Sequence, residues 1–193
     1  MKFGLFALIL LAAGLAPPAV ASEPPVREVV GRFLLTDVNG KAVTDQQFSG
    51  KFRLMTFGYT YCPDICPTVL NTLAETLDKL GPDRGKVATM FISVDPERDT
   101  PSHLRDYLTS FPGITGLTGT PEQVAAAAYN FKARYQKQPA ANGDPAAYSV
   151  DHTASVYIMD RAGNFLARLP HGATSETVAA RVRSYLYPGK ADQ

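Results

Sequence analysis

The chain's two cysteines stand four residues apart, in Cys62-Pro-Asp-Ile-Cys66. A thiolate is both a nucleophile and a soft metal ligand, so such a pair has three uses. It can hold one soft ion, exchange with a partner's disulfide, or close on itself, given Cα atoms about 4.4–6.8 Å apart. If the segment is helical, positions i and i+4 share one face and both sulfurs point the same way. Cys66 precedes Pro67, read here as a helix start, where orphan N–H groups and the positive dipole end favour a thiolate. Pro63 and Pro67 follow the two cysteines and stiffen the loop. A purely structural disulfide is the weaker reading, because closing so short a loop restrains little of the unfolded chain. Two cysteines also exclude a multi-disulfide scaffold and a four-thiolate zinc or iron–sulfur site within the chain.

The elements that must position this pair alternate between strand and helix patterns. Arg32–Asp37 and Lys41–Thr44 read as strands around an Asn39-Gly40 turn. Phe52–Phe57 is a second strong strand, and it runs directly into GYTYCPDICP. A helix from Pro67 carries Val69, Leu70, Leu73, Leu77 and Leu80 on one face and stops at Gly81-Pro82. Val87–Val94 is a nearly continuous apolar strand of the type buried on both faces of a parallel sheet. Thr100-Pro101 opens a helix with Leu104, Tyr107, Leu108 and Phe111 on one side. Ile114–Leu117 is a short, weak strand. Thr120-Pro-Glu-Gln123 is a capping box whose helix continues through Val124, Ala128, Phe131 and Tyr135. Residues 137–147 form a loop, Ser155–Met159 and Phe165–Leu169 a hairpin, and Thr174–Tyr187 a closing helix. The expected fold class is α/β: a thioredoxin-like fold whose central mixed sheet is flanked by helices and extended by an N-terminal β-hairpin. Ligands of such sheets gather at the C-terminal ends of the parallel strands, where the cysteine segment falls.

That fold gives His152 a role. It lies in Ser149–Thr153, directly before the Ser155–Met159 strand, and the loop entering that strand lies beside the redox helix. His152 is therefore placed to approach both sulfurs from across the site. Two thiolates and one imidazole fall one ligand short of a closed tetrahedral zinc site. They suit Cu(I) through the sulfurs and Cu(II) with the nitrogen added. An incomplete shell also suits a carrier, because a partner's ligand can enter before the metal leaves. Asp151 either orients the imidazole or accepts in a strand-end turn. Asp64 either tunes the site, meets a partner or faces solvent. His103 and His171 are read as ordinary surface or packing residues.

Composition bounds the rest. Apolar residues make up 45% and charged residues 19%, an ordinary globular balance. Lys+Arg is 19 and Asp+Glu 18, a net charge of +1 that gives no reason to expect nucleic acid as the main partner. Residues 1–21 read as a signal peptide: Lys2, an apolar run from Phe3 to Ala16, Pro17-Pro18, and Ala19-Val20-Ala21 before Ser22. The alternative is an uncleaved anchor, since Phe3–Ala21 is just long enough to span a bilayer. Either way the remainder is exported, with the periplasm as the expected compartment; there thiols oxidise unless kept reduced. Residues 22–28 are a lead-in, 29–187 a single domain and 188–193 a tail.

Three blocks, TFGYTYCPDICPTVL (56–70), ISVDPERDTP (92–101) and VDHTASVYIMDRAGNFLARL (150–169), together resemble the Sco/SenC family of copper-binding proteins. The resemblance spans most of residues 29–187 and keeps the order and spacing of the blocks. It implies Cys62, Cys66 and His152 as copper ligands, and a copper metallochaperone that assists assembly of the CuA centre of cytochrome c oxidase subunit II. The partners it implies are that subunit, a periplasmic copper chaperone as donor and a thioredoxin-like reductant. The alternative within the family is a thiol–disulfide reductase, with Cys62 and Cys66 as the reacting groups, that keeps the CuA-site cysteines reduced. Asp95 and Asp99 fall in the family's DPxRDT stretch; helix capping before Pro101 is the favoured role and shaping of the site the alternative. Thioredoxin reductases usually carry C-x-x-C and a cis-proline at the late strand. Here an extra residue separates the thiols and His152-Thr153 stands where the proline would be, so metal binding is favoured over general disulfide exchange.

Overall fold

The computed structural model describes residues 29–189. The expected leader, the lead-in and residues 190–193 of the expected tail lie outside the described residues. The chain opens with β1 (Leu34–Asp37) and β2 (Ala42–Thr44), joined through the Asn39-Gly40 turn. β3 (Phe52–Gly58), α1 (Ile65–Leu80), β4 (Val87–Ser93), α2 (Pro101–Leu108), β5 (Ile114–Thr118) and α3 (Pro121–Phe131) follow. The last third holds β6 (Tyr135–Gln138), β7 (Ser149–His152), β8 (Ser155–Met159), β9 (Phe165–Pro170) and α4 (Ser175–Leu186). Among the described residues no helix is long and apolar enough to cross a membrane.

Seven strands form the main sheet in the order β2-β1-β5-β4-β3-β8-β9. The three central strands are parallel, and antiparallel strands extend both sides. This is the thioredoxin-like arrangement expected. Every residue of β3 is buried, so both sheet faces are covered at its centre. Leu54, Met55, Met90, Phe91 and Ile92 are fully buried along β3 and β4. The short Ile114 strand, weak by sequence, becomes central because β1 and β4 bracket it. Its Gly116 leaves room for Leu104, Leu108 and Val38, each of which a Cβ would meet at under 3 Å.

Three expectations are corrected. α3 stops at Phe131 and does not reach Tyr135, although Tyr135 keeps the helical spacing. Lys132 takes a left-handed conformation (φ 54°), the helix-ending geometry, and the chain turns into β6. β6 pairs antiparallel with β7 as a separate two-stranded sheet, with Tyr135 opposite His152. His152 thus ends a strand and does not ride on a loop. α1 begins at Ile65, two residues before Pro67. Proline is tolerated there because first-turn N–H groups have no helical acceptor.

Candidate metal centre

The parallel strands β3 and β4 end side by side at Gly58 and Ser93. From β3 the chain passes through Tyr59–Asp64, which carries Cys62, into the first turn of α1, which carries Cys66. The Cys62 N–H donates to the Tyr59 carbonyl at 3.3 Å and tightens this loop. The Cys66 N–H donates to Cys62 Sγ at 3.4 Å. Asp64, at the N-cap position, makes no side-chain capping bond. The Cys62 sulfur thus takes up a helix-start donor that a capping side chain would otherwise satisfy. The two cysteines therefore do not share a helical face, as the i, i+4 spacing suggested; Cys62 precedes the helix and is held to it by this bond. Both are free thiols, Cys62 9% exposed and Cys66 3%.

His152 meets them from the end of β7. Its Nδ1 lies 2.9 Å from the Val150 carbonyl, which can only accept, so Nδ1 carries the proton. Nε2 is left with its lone pair towards Cys66 Sγ at 3.5 Å, and the thiol donates to it. The Tyr59 ring meets the imidazole edge to face, at 5.6 Å and 88°. Among the described residues no three His, Cys, Asp or Glu side chains already converge as a metal cage. Cys66 and His152 face each other, while Cys62 Sγ is turned to the Cys66 amide.

The expected thiolate at Cys66 is overturned. Burial pushes this thiol upward, a backbone hydrogen bond from Tyr59 acts against that, and Cys62 and Asp99 add to the rise. The helix-start donor that was to stabilise a charge on Cys66 is spent on Cys62 instead.

The DPxRDT stretch braces this site. Asp95 and Asp99 are fully buried, and Thr100, not either aspartate, caps α2 by accepting from the His103 N–H. Asp99 accepts from the Thr60 amide at 3.1 Å, the Thr60 hydroxyl at 2.6 Å and the Ser93 hydroxyl at 2.6 Å. It thereby ties the cysteine loop to the end of β4. Burial raises the Asp99 carboxyl, and the bonds from Ser93 and Thr60 oppose the rise. Asp95 accepts from Arg98 Nε at 2.5 Å and from the Tyr148 hydroxyl at 2.6 Å. The Arg98 guanidinium lies 3.6 Å over the Tyr148 ring and 4.5 Å over Tyr61, joining the loop before β7 to the cysteine loop.

His103 is more than an ordinary surface residue. Its Nε2 is 2.9 Å from the Thr60 hydroxyl, and its ring stacks on Tyr61 at 5.4 Å. Asp151 does not orient His152, because its carboxylate is engaged elsewhere, accepting from Gln138 at 2.8 Å. The orienting acceptor is the Val150 carbonyl. Asp64 is exposed, and His171 is exposed in the turn after β9. Gly58 went unread in the sequence. A Cβ there would sit 2.7 Å from Cys66 Sγ and 2.6 Å from Phe91, so the sulfur's seat depends on the missing side chain. The signal was a glycine closing a buried strand just ahead of the motif.

Fold and site together define a thioredoxin-like protein with two buried thiols and a tautomer-fixed imidazole at the edge of its parallel strands. The SCO1/SenC family pattern matches residues 21–187, and the chain belongs to that family. It is 38% identical over 160 residues to SCO2 of Saccharomyces cerevisiae mitochondria, covering 81% of this chain and 52% of that one. It is 40% identical over 161 residues to SenC of Rhodobacter capsulatus, covering 82% and 71%. The chain spans about half the length of the first curated relatives it matches. The structure of Bradyrhizobium japonicum ScoI with copper bound superposes with a TM-score of 0.73 at 46% identity, covering 81% of this chain and 99% of that one.

Proposed function

We propose that the protein is an exported copper metallochaperone that works in the periplasm, with Cys62, Cys66 and His152 as its ligands. The observation that carries the reading is the approach of His152 Nε2 to Cys66 Sγ at 3.5 Å, beside the Cys62 sulfur. Copper is the cargo. Cu(I) takes the two sulfurs as thiolates, and their protons leave to solvent as it binds. Cu(II) adds Nε2, whose lone pair already faces the site because Nδ1 is held by Val150. Closing the set around one ion requires the Cys62 sulfur to turn from the Cys66 amide, where it now accepts. The shell so formed has room for an incoming partner ligand. The acceptor on this reading is the CuA domain of cytochrome c oxidase subunit II, which the family relationship supports. A periplasmic copper chaperone is the donor and a thioredoxin-like protein the reductant that keeps Cys62 and Cys66 as thiols.

The test is to mix the copper-loaded protein with the apo, reduced CuA domain and follow the CuA absorption bands. Growth of those bands, abolished by Cys62→Ser, is the expected result. Copper affinity that is unchanged by Cys62→Ser and His152→Ala would sink the assignment. Reduction of an oxidised CuA domain by the metal-free protein, indifferent to His152→Ala and without copper transfer, would make the thiol pair a reductant instead.

A further inference from the structure

Behind His152 a cleft of about 670 Å³ runs between α3 and the β6–β7 ribbon. It adjoins a second cleft of about 450 Å³, and Ala133, Arg134 and Thr153 line both. Small side chains, Ala125, Ala128 and Ala133, leave the first cleft wide. The second adds Lys132 and Arg168. We infer that this double cleft is the docking site for an acidic segment of the protein that receives the copper, with an apolar side chain between its carboxylates. The identity of that partner rests on the function proposed above; the chemistry of the groove does not.

Charge is the first argument. The whole chain is nearly neutral, with 19 basic and 18 acidic residues, yet three cations gather here: Lys132, Arg134 and Arg168. None of them takes part in the ion pairs among the described residues, which use Lys79, Arg84, Lys86, Arg98 and Lys137. Arg134 and Arg168 are exposed. Lys132 Nζ donates to the Tyr129 carbonyl at 3.3 Å and lies 4.7 Å over the Tyr129 ring, which keeps its charge at the rim. The one carboxylate on the lining, Asp151, is engaged by Gln138. Such a cluster attracts carboxylates and orients their approach.

Position is the second argument. His152 lines the first cleft and also faces Cys66, so it belongs to both places. A segment seated in the cleft lies against the residue that completes the Cu(II) shell. Docking and metal release are then neighbours, and the partner's own ligands arrive beside the ion they are to take.

The chain has no tryptophan, so a tryptophan in a probe peptide reports binding without interference. The probe is a short capped peptide of glutamates flanking one tryptophan, titrated into the reduced, metal-free protein. Saturable binding with a blue-shifted emission is expected. Binding should weaken at least tenfold in the Arg134→Glu, Arg168→Glu double variant and near 1 M salt, where screening shrinks to ~3 Å. Lys132 is left in place in that variant because its left-handed backbone is part of the fold. Reversal of the exposed Lys41 and Lys51, outside the groove, should leave binding unchanged. Equal binding of a lysine-flanked peptide, wild-type binding by the double variant, or no binding by the wild type would overturn the inference. Because the assay uses metal-free protein, its outcome is independent of whether copper transfer to the CuA domain is observed.

Discussion

His152 Nε2 faces Cys66 Sγ at 3.5 Å because its Nδ1–H is fixed to the carbonyl of Val150, two residues earlier on the same strand. The ring is held by main chain, which substitution cannot remove, and by the edge of Tyr59. Outer-shell partners alone are worth roughly 10–100-fold in metal affinity. On the proposed ligand set, loss of the His152 imidazole itself should exceed that for Cu(II). His152→Ala is therefore expected to weaken Cu(II) by more than ~100-fold in a competition titration, while Cu(I), held by the thiolates, changes much less. Equal losses for both oxidation states would remove the imidazole from the Cu(II) shell.

The upward shift of Cys66 fixes the sign of a pH effect. A thiol raised in the folded state keeps its proton where the unfolded chain, with an ordinary thiol near ~8.5, releases it. The metal-free, reduced protein is then at full stability below that range and loses stability as pH rises through it. The half-buried Tyr107 and Tyr148 phenols are also raised, Tyr107 by desolvation and Tyr148 by desolvation and its bond to Asp95, and extend the same trend above their ordinary ~10. The melting temperature should fall between about pH 8 and 9.5, and Cys66→Ser should flatten that fall. On the proposed ligand set, copper affinity should move the other way and drop as pH falls, because protons compete for the sulfurs.

What the sequence made legible follows from local chemistry. The meeting of Cys66 and His152, with Cys62 beside them, was readable because their types are rare in this chain and the strand–helix alternation placed them at one edge of the sheet. The α3 boundary was not, because Val124, Ala128, Phe131 and Tyr135 keep a helical period past the point where Lys132 turns left-handed. That turn is a tertiary choice: it frees Tyr135 to pair opposite His152. Asp95 and Asp99 looked like caps because they precede Pro101. Only the fold reveals that their true partners, Tyr148 and Thr60, lie 53 and 39 residues away.

Asp99 holds the cysteine loop through Thr60. Asp99→Ala leaves the Thr60 and Ser93 donors without their acceptor, at a cost of about 1–3 kcal/mol. Asp99→Asn keeps one acceptor oxygen and should recover part of that loss. Because Thr60 stands two residues before Cys62, the alanine variant should also open the Cys62 thiol to alkylation. Measured by mass spectrometry under native conditions, its labelling rate should rise, with the asparagine variant between it and the wild type. Identical labelling in all three would mean that Asp99 stabilises the fold without positioning the thiol.

Gly58 joins stability to chemistry at one atom. It ends β3, and its carbonyl accepts from the Val94 amide at 2.8 Å, so the backbone there is not free to move aside. A methyl group added by Gly58→Ala would meet Phe91 at 2.6 Å and Cys66 Sγ at 2.7 Å. Phe91 is fully buried and has no room to yield. The sulfur must therefore move, and overpacking of this kind costs about 1–3 kcal/mol. Displacing Cys66 Sγ also breaks its contact with Nε2 of His152. The variant should unfold at lower denaturant and bind Cu(II) more weakly than its stability loss alone accounts for. Destabilisation with unchanged Cu(II) affinity would show that Gly58 serves the core and not the seat of the sulfur.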